Sequence, residues 1–217
     1  MRARSTIGSI VVLLAVVAAA RTAAGQLGAR STDEWIKLLE SPERVAALKI
    51  DQVIARLGLK PGQVVADLGA GAGAFTLPLA KAVGPSGKVY AVEIDQGLVD
   101  HIGRRAKEQG AGNIQPLLGK PGDPALPSAD VDLAFMHDVL HHIADRPGYL
   151  KQSARYLKPG ARFAIIEPDA KAGPHRDDPK LQTTKEQLTA WMADAGLVHR
   201  EDVVLFGNKW FVVYERK

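Results

Sequence analysis

The chain has 217 residues, 46% hydrophobic and 24% charged, enough for one domain with a substantial core. It contains no cysteine, which excludes disulfides, thiolate zinc sites, a catalytic thiol and a lipid-bearing cysteine. The formal charge of +4 falls to +1 once Arg2, Arg4 and Arg21 are set aside, and no Lys and Arg stripe interleaved with aromatics remains, which argues against a nucleic-acid partner.

Arg2 and Arg4 precede an apolar run from Ile10 to Ala20, followed by small residues through Gly25. Residues 1–25 therefore read as an export signal, cleaved after Ala20 or Gly25, with a periplasmic or secreted domain beyond it. The run is shorter than the ~20 residues of a spanning helix. An uncleaved anchor is the alternative, and the membrane is a partner only in that case. Residues 26–58 form an N-terminal helical segment: Trp35, Leu38, Leu39, Val45, Leu48, Val53, Ile54 and Leu57 recur at helical spacing, and Pro42 divides them into two helices.

Beyond Lys60-Pro61-Gly62, strand and helix signals alternate in the rhythm of a parallel sheet covered by helices. Strands are expected at Val64–Leu68, Val89–Glu93, Ile114–Leu118, Val131–Met136 and Phe163–Glu167, with helices at Phe75–Val83, Leu98–Gln109 and Tyr149–Leu157 between them. Lys158-Pro159-Gly160 reads as a turn. A helix over Lys185–Ala195 leads to strand-like runs Asp202–Phe206 and Trp210–Tyr214, with Gly207-Asn208 as a hairpin turn between them.

Within this pattern the string VVADLGAGAGAF stands out: a strand carrying Asp67, then Gly69, Gly71 and Gly73, then a helix. Such glycines let backbone approach a ligand closely, and the following helix offers unpaired N–H groups to a nucleotide-like body. Tight turn packing is the plainer explanation. Pro78 places the helix start near Ala74, with a kink if the helix begins earlier.

The glycine loop, VYAVEID, LPSADVDLAFMHDVLHHI and LKPGARFAIIE occur in the order found in class I S-adenosylmethionine-dependent methyltransferases, which the chain resembles over about residues 35–217. The resemblance implies a doubly wound, mainly parallel seven-stranded α/β sheet with an antiparallel last strand. It implies a methyltransferase domain over residues 59–217, S-adenosylmethionine as cofactor and a small-molecule substrate. Asp67, Gly69, Gly71, Gly73, Glu93 and Asp123 are then the cofactor-binding residues. Glu93 accepts hydrogen bonds from both ribose hydroxyls, since an ionised carboxylate offers only acceptors. Asp67 orders the glycine loop by accepting its N–H groups, or meets the cofactor's amino group. The family often places an acid just after the third strand to receive the adenine amine. Here that place reads Gly119-Lys120-Pro121-Gly122-Asp123; Lys120 has no acceptor, so the role goes to Asp123, unless Asp123 is a turn residue before Pro124. Asp95 caps the next helix.

The reacting centre falls at Met136–His142. Methyl transfer mainly needs a nucleophile held in line, so a base is optional. His137 and His141 are the candidate catalytic bases, or they line the pocket; His142 and Asp132 serve the fold. HDVLH also has the spacing of a helical zinc site, but His137 falls where a strand ends and no third ligand follows, so no metal is expected. Glu167, Pro168 and Asp169 close the fifth strand at the same edge, and His175 and Arg176 follow in a loop, touching substrate or solvated.

Two other functions fit parts of the sequence. Gly69, Gly71 and Ala74 satisfy the looser dinucleotide fingerprint of an NAD-dependent oxidoreductase, yet no second half-domain follows and the terminal hairpin has no place there. A non-catalytic binding module on the same fold is the other, because an exported domain is separated from a donor made in the cytoplasm. Neither the acceptor atom nor the oligomeric state is specified by any motif.

Overall fold

The apolar runs of the central strands are nearly continuous because those strands are covered on both faces. The computed structural model describes residues 30–172 and 177–217. The segment read as an export signal and the pair His175 and Arg176 lie outside the described residues.

Three helices lead into the sheet: α1 (Thr32–Leu39), α2 (Pro42–Ala47) and α3 (Ile50–Leu57). Two were expected. Pro42 falls in the first turn of α2, where its missing N–H is harmless, and the extra break comes at Lys49, whose φ of 50° is left-handed. There follow β1 (Val64–Leu68), α4 (Thr76–Val83), β2 (Lys88–Glu93), α5 (Gln96–Glu108), β3 (Ile114–Leu118), β4 (Val131–His137), α6 (Arg146–Ala154) and β5 (Leu157–Pro168). The chain closes with α7 (Lys185–Asp194), β6 (Leu197–Asp202) and β7 (Lys209–Arg216).

The strands form one seven-stranded sheet in the order β3-β2-β1-β4-β5-β7-β6, with β7 antiparallel to both neighbours. This is the doubly wound, mainly parallel α/β sheet expected. Successive strand residues go to opposite cores: Val65, Leu133, Phe135, Ile166 and Phe211 pack with Val53, Leu57 and Leu79 of α3 and α4. Ala66, Met136, Ile165 and Val212 pack with Leu150 and Leu188 of α6 and α7.

Two boundaries depart from expectation. Lys158-Pro159-Gly160 is no turn between elements but a bulge inside β5, which pairs Val131 with Leu157 and then Leu133 with Arg162. Gly160, at φ 73°, accommodates the extra residues. The penultimate strand is Leu197–Asp202, and the apolar run after it, Val203 to Phe206, belongs to the connection into β7.

From β1 the chain winds outward to β3, then returns to β4 on the other side of β1. In such sheets the ligand crevice opens beyond the carboxyl ends of the strands at that reversal. Asp132 ties the opposite end together: its Oδ2 accepts the Val64 N–H at 2.7 Å and its Oδ1 the Lys158 ammonium at 2.8 Å. Asp132→Ala is expected to lower stability by about 1–2 kcal/mol, because the Val64 N–H loses a charged acceptor. Urea unfolding checks this, with Asp132→Asn losing less; an unchanged midpoint would refute it.

Candidate functional site

The loop leaving β1 takes its shape from glycine. Gly69, Gly71 and Gly73 have φ of 75°, 58° and 82°. The N–H groups of Gly69 and Ala70 both donate to the Val92 carbonyl at 2.9 Å, fixing the loop to β2. A Cβ at Gly69 would lie 2.5 Å from a methyl of Val139, in the loop leaving β4. Helix α4 begins at Thr76 and its first interior bond runs from Leu79 N–H to the Phe75 carbonyl. Pro78 thus falls in the first turn, where it breaks nothing.

Helix α1 closes over this loop. Leu39 lies 3.2 Å from where a Cβ on Gly71 would be. The Thr32 hydroxyl donates to Asp95 Oδ1 at 3.2 Å, while that oxygen caps α5 by accepting the Leu98 N–H at 2.9 Å. Glu40 Oε1 meets His101 Nε2 at 2.8 Å and the Arg105 guanidinium at 3.1 Å, and Arg105 also donates to the Ala72 carbonyl at 2.9 Å.

Glu93 ends β2 with its carboxylate folded onto the loop. Its Oε2 accepts the Gly71 N–H at 2.9 Å and its Oε1 the Ile94 N–H at 2.7 Å. Burial raises its pKa, against the pull of the backbone bonds from Ile94, Gly71 and Asp95. The carboxylate keeps acceptor capacity for a ligand hydroxyl. On either side of it Ile94 and Leu118 are 42% and 49% exposed, although Leu118 is the strand partner of Glu93. Two bare apolar side chains beside a buried carboxylate suit a flat heterocycle joined to a diol. Sequence reasoning missed both, because an apolar residue at a strand end reads as core.

Asp67 does something neither expectation named. It accepts the Thr76 hydroxyl at 2.6 Å, joining β1 to the start of α4 across the glycine loop. Burial raises its pKa to about 7, Thr76 opposing and the nearby Glu93 charge adding to the rise.

Asp123 is committed elsewhere than the adenine role assigned to it. Its Oδ1 accepts from the Ala125 N–H at 2.7 Å and the Tyr156 hydroxyl at 2.9 Å, and its Oδ2 from the Gln152 amide at 2.9 Å. These bonds outweigh burial and lower its pKa. It staples the loop after β3 to α6, which is the turn-residue alternative. It remains within electrostatic reach of the donor edge, since Asp123 and Glu93 both raise the pKa of the buried Tyr149.

The two candidate bases have different surroundings. His141 is 4% exposed, and its Nδ1 lies 2.6 Å from Oε2 of Glu167, itself 1% exposed. Glu167 Oε1 accepts the Val139 and Leu140 N–H groups at 2.7 and 2.6 Å. A carboxylate there holds the proton on Nδ1 and leaves Nε2 as the basic atom. Arg146 fixes the same turn, donating to the carbonyls of Leu140 and His141 and, across the next loop, to those of Lys180 and Gln182. Sequence reasoning noted Glu167 only as a strand end and passed over Arg146.

His137 is packed between rings, its centroid 5.0 Å from Phe75 and 6.1 Å from Phe206. Burial lowers its pKa to about 4; Lys209 and Arg44 push the same way and Asp138 opposes them. Its Nδ1 is 3.4 Å from Asp138 Oδ2, which receives the Lys209 ammonium at 2.5 Å. Asp138 has a left-handed backbone, φ 57°, and a lowered pKa: burial acts upward but the cationic neighbours and His137 prevail. The histidines of HDVLH thus face different carboxylates. Among the described residues no group of three or more His, Asp or Glu is placed to hold a metal ion.

A family profile described as a methyltransferase domain matches residues 59–207. Nocamycin O-methyltransferase of Saccharothrix syringae is 32% identical over 109 residues, 50% of this chain and 39% of that protein. The 2-phytyl-1,4-naphtoquinone methyltransferase of Synechococcus elongatus is 37% identical over 109 residues, 50% of this chain and 47% of that protein. The chain therefore spans less than half the length of these two curated relatives. A crystal structure of an S-adenosylmethionine-dependent methyltransferase from Aquifex aeolicus superposes with a TM-score of 0.77 at 26% identity, covering 87% of this chain and 100% of that one.

The raised pKa of Asp67 has a consequence for stability. Between its ordinary value of 3.8 and about 7 the folded protein holds a proton that the unfolded chain releases, so this group's contribution is full below pH 3.8 and is lost as pH rises through 7. Asp67→Asn keeps an acceptor for Thr76 and has no charge to bury. Its stability relative to the parent is expected to improve by up to about 4 kcal/mol between acid and mildly alkaline pH. Denaturant titrations across that range test it; parallel pH profiles would refute it.

Proposed function

The chain belongs to the methyltransferase-domain family, and on that premise we propose that it transfers a methyl group from S-adenosylmethionine to a small-molecule acceptor. When bound, S-adenosylmethionine supplies an electrophilic methyl on a sulfonium and leaves as S-adenosylhomocysteine. The observation that carries the reading is the Glu93 carboxylate folded onto the glycine loop, between the exposed Ile94 and Leu118. That arrangement offers acceptors to a ribose and an apolar bed to an adenine. The names of the two curated relatives, both of small molecules, support the class of acceptor.

The chain's own residues would do three things. Glu93 and the glycine loop orient the donor, and α1 covers it through Leu39. His141, aligned by Glu167, takes the proton of an acceptor hydroxyl or amine. Arg146 keeps that histidine's turn against the loop after β5. Of the two histidines His141 suits the base role better, because burial holds His137 at a pKa of about 4.

Residues 1–25, with Arg2 and Arg4 ahead of the apolar run, support a further part of the reading: they address the domain out of the cytoplasm.

Calorimetric titration of the full chain with S-adenosylmethionine should give micromolar binding, NAD none, and Glu93→Ala should weaken donor binding by about tenfold or more. Absence of donor binding would overturn the proposal, and NAD binding in its place would indicate an oxidoreductase. For export, a tagged full-length chain in a bacterial host should appear in the periplasm with a new N-terminus near residue 26, and deletion of residues 1–25 should keep it in the cytoplasm. Equal distribution of the two forms would refute the signal.

A further inference from the structure

The carboxyl end of β4 holds polar atoms that the fold leaves unpaired. His137 Nε2 and Asp138 Oδ1 are buried without a hydrogen-bond partner, in side chains 4% and 13% exposed. Each unpaired buried acceptor costs about 1–3 kcal/mol. Asp138 adds a left-handed backbone, a strained conformation that concentrates where ligands bind. A fold with no use for these atoms would bury apolar side chains here.

The charges around them do not cancel. Lys209 donates to Asp138 Oδ2, and its side chain is only 14% exposed. The half-buried Arg44 of α2 is close enough to act electrostatically on both His137 and Asp138. Its guanidinium makes no hydrogen bond or ion pair among the described residues. The Lys49 ammonium donates to the Leu205 carbonyl at 2.9 Å and, like that of Lys209, lies over the Phe206 ring, 5.5 and 5.7 Å from its centroid. Asp138 therefore answers only one of several cationic charges, and the neutral His137 adds none. Positive charge is left over beside an unpaired imidazole nitrogen that sits between the rings of Phe75 and Phe206.

We propose that this cluster binds the acceptor, with Arg44 and Lys209 receiving a carboxylate and His137 Nε2 accepting a hydrogen bond from the same molecule's hydroxyl or amine. The description of the ligand as the methyl acceptor rests on the methyltransferase reading; the carboxylate site itself does not. A carboxylate brings one negative charge to these cations beside Asp138, whereas a phosphate dianion would set two against it. A guanidinium also matches a planar carboxylate with two parallel bonds. Nδ1 lies 3.4 Å from Asp138 Oδ2, and a carboxylate on that side favours the proton on Nδ1, which leaves Nε2 to accept a hydrogen bond from the ligand. Arg44, half-buried, lies in α2, which follows the α1 segment that covers the glycine loop.

The test uses the full chain saturated with S-adenosylhomocysteine and titrated with benzoate, benzamide and inorganic phosphate, followed by the His137 ring resonances and by calorimetry. Benzoate should bind saturably and shift the His137 signals, benzamide and phosphate should bind about tenfold or more weakly, and Arg44→Gln should weaken benzoate by about tenfold while S-adenosylhomocysteine binding is unchanged. Equal binding of benzoate and benzamide, tighter binding of phosphate, or an Arg44→Gln chain that binds benzoate like the parent would overturn the carboxylate site. If the parent chain fails to bind S-adenosylhomocysteine, the methyltransferase reading fails instead, and the benzoate series without it still decides the site.

Discussion

The ligand edge depends on one close approach. At the reversal of strand order the loop leaving β1 and the loop leaving β4 touch, with Gly69 so near Val139 that a Cβ would fall 2.5 Å from its methyl. Any side chain at that position would force the loops apart, and the backbone there, φ 75°, already excludes most residues. The contact sets the distance between the part of the edge built from Gly69 to Gly73 with Glu93 and the part that carries His137 and His141. Close packing of the two loops leaves that separation little freedom.

Along the same edge the parallel strands β1, β2, β4 and β5 each end near a buried acid: Asp67, Glu93, Asp138 and Glu167. Each is stabilised differently. Glu93 and Glu167 both accept backbone N–H groups, Glu167 adding the His141 ring. Asp138 is held by Lys209. Among the described residues Asp67 is held by the Thr76 hydroxyl, and burial raises its pKa to about 7. Asp67 and Glu93 stand on the glycine-loop side of this edge, and Asp138 and Glu167 on the side of the two histidines, where Lys209 pairs with Asp138.

Much of the fold was legible in local sequence because its central strands are buried on both faces and the helices Gln96–Glu108, Arg146–Ala154 and Lys185–Asp194 carry side-chain caps. Strands β1 and β3 fall at the expected residues, and Asp95 caps α5 as expected. The failures have physical causes. Leu197–Asp202 is an edge strand with most of its side chains exposed, so it lacks an apolar pattern, while the apolar run after it is a connection packed under α3 and β7. Lys158-Pro159-Gly160 carries turn chemistry that the sheet absorbs as a bulge. The left-handed Lys49 has no glycine or asparagine to announce it.

The site divides along the same line. Sequence alone determined the glycine loop, Glu93 at the end of its strand and the two histidines after β4, because these follow from residues close together in the chain whose spacing is fixed by strand and turn geometry. Only the tertiary structure decided that Asp67 serves Thr76, that Asp123 accepts from Gln152 and Tyr156, that Glu167 orders His141, and that Lys209 pairs with Asp138 beside His137. Most of those pairings join residues far apart in sequence, and a hydrogen bond or an ion pair depends on where side chains meet in space. Chain order leaves no local trace of that.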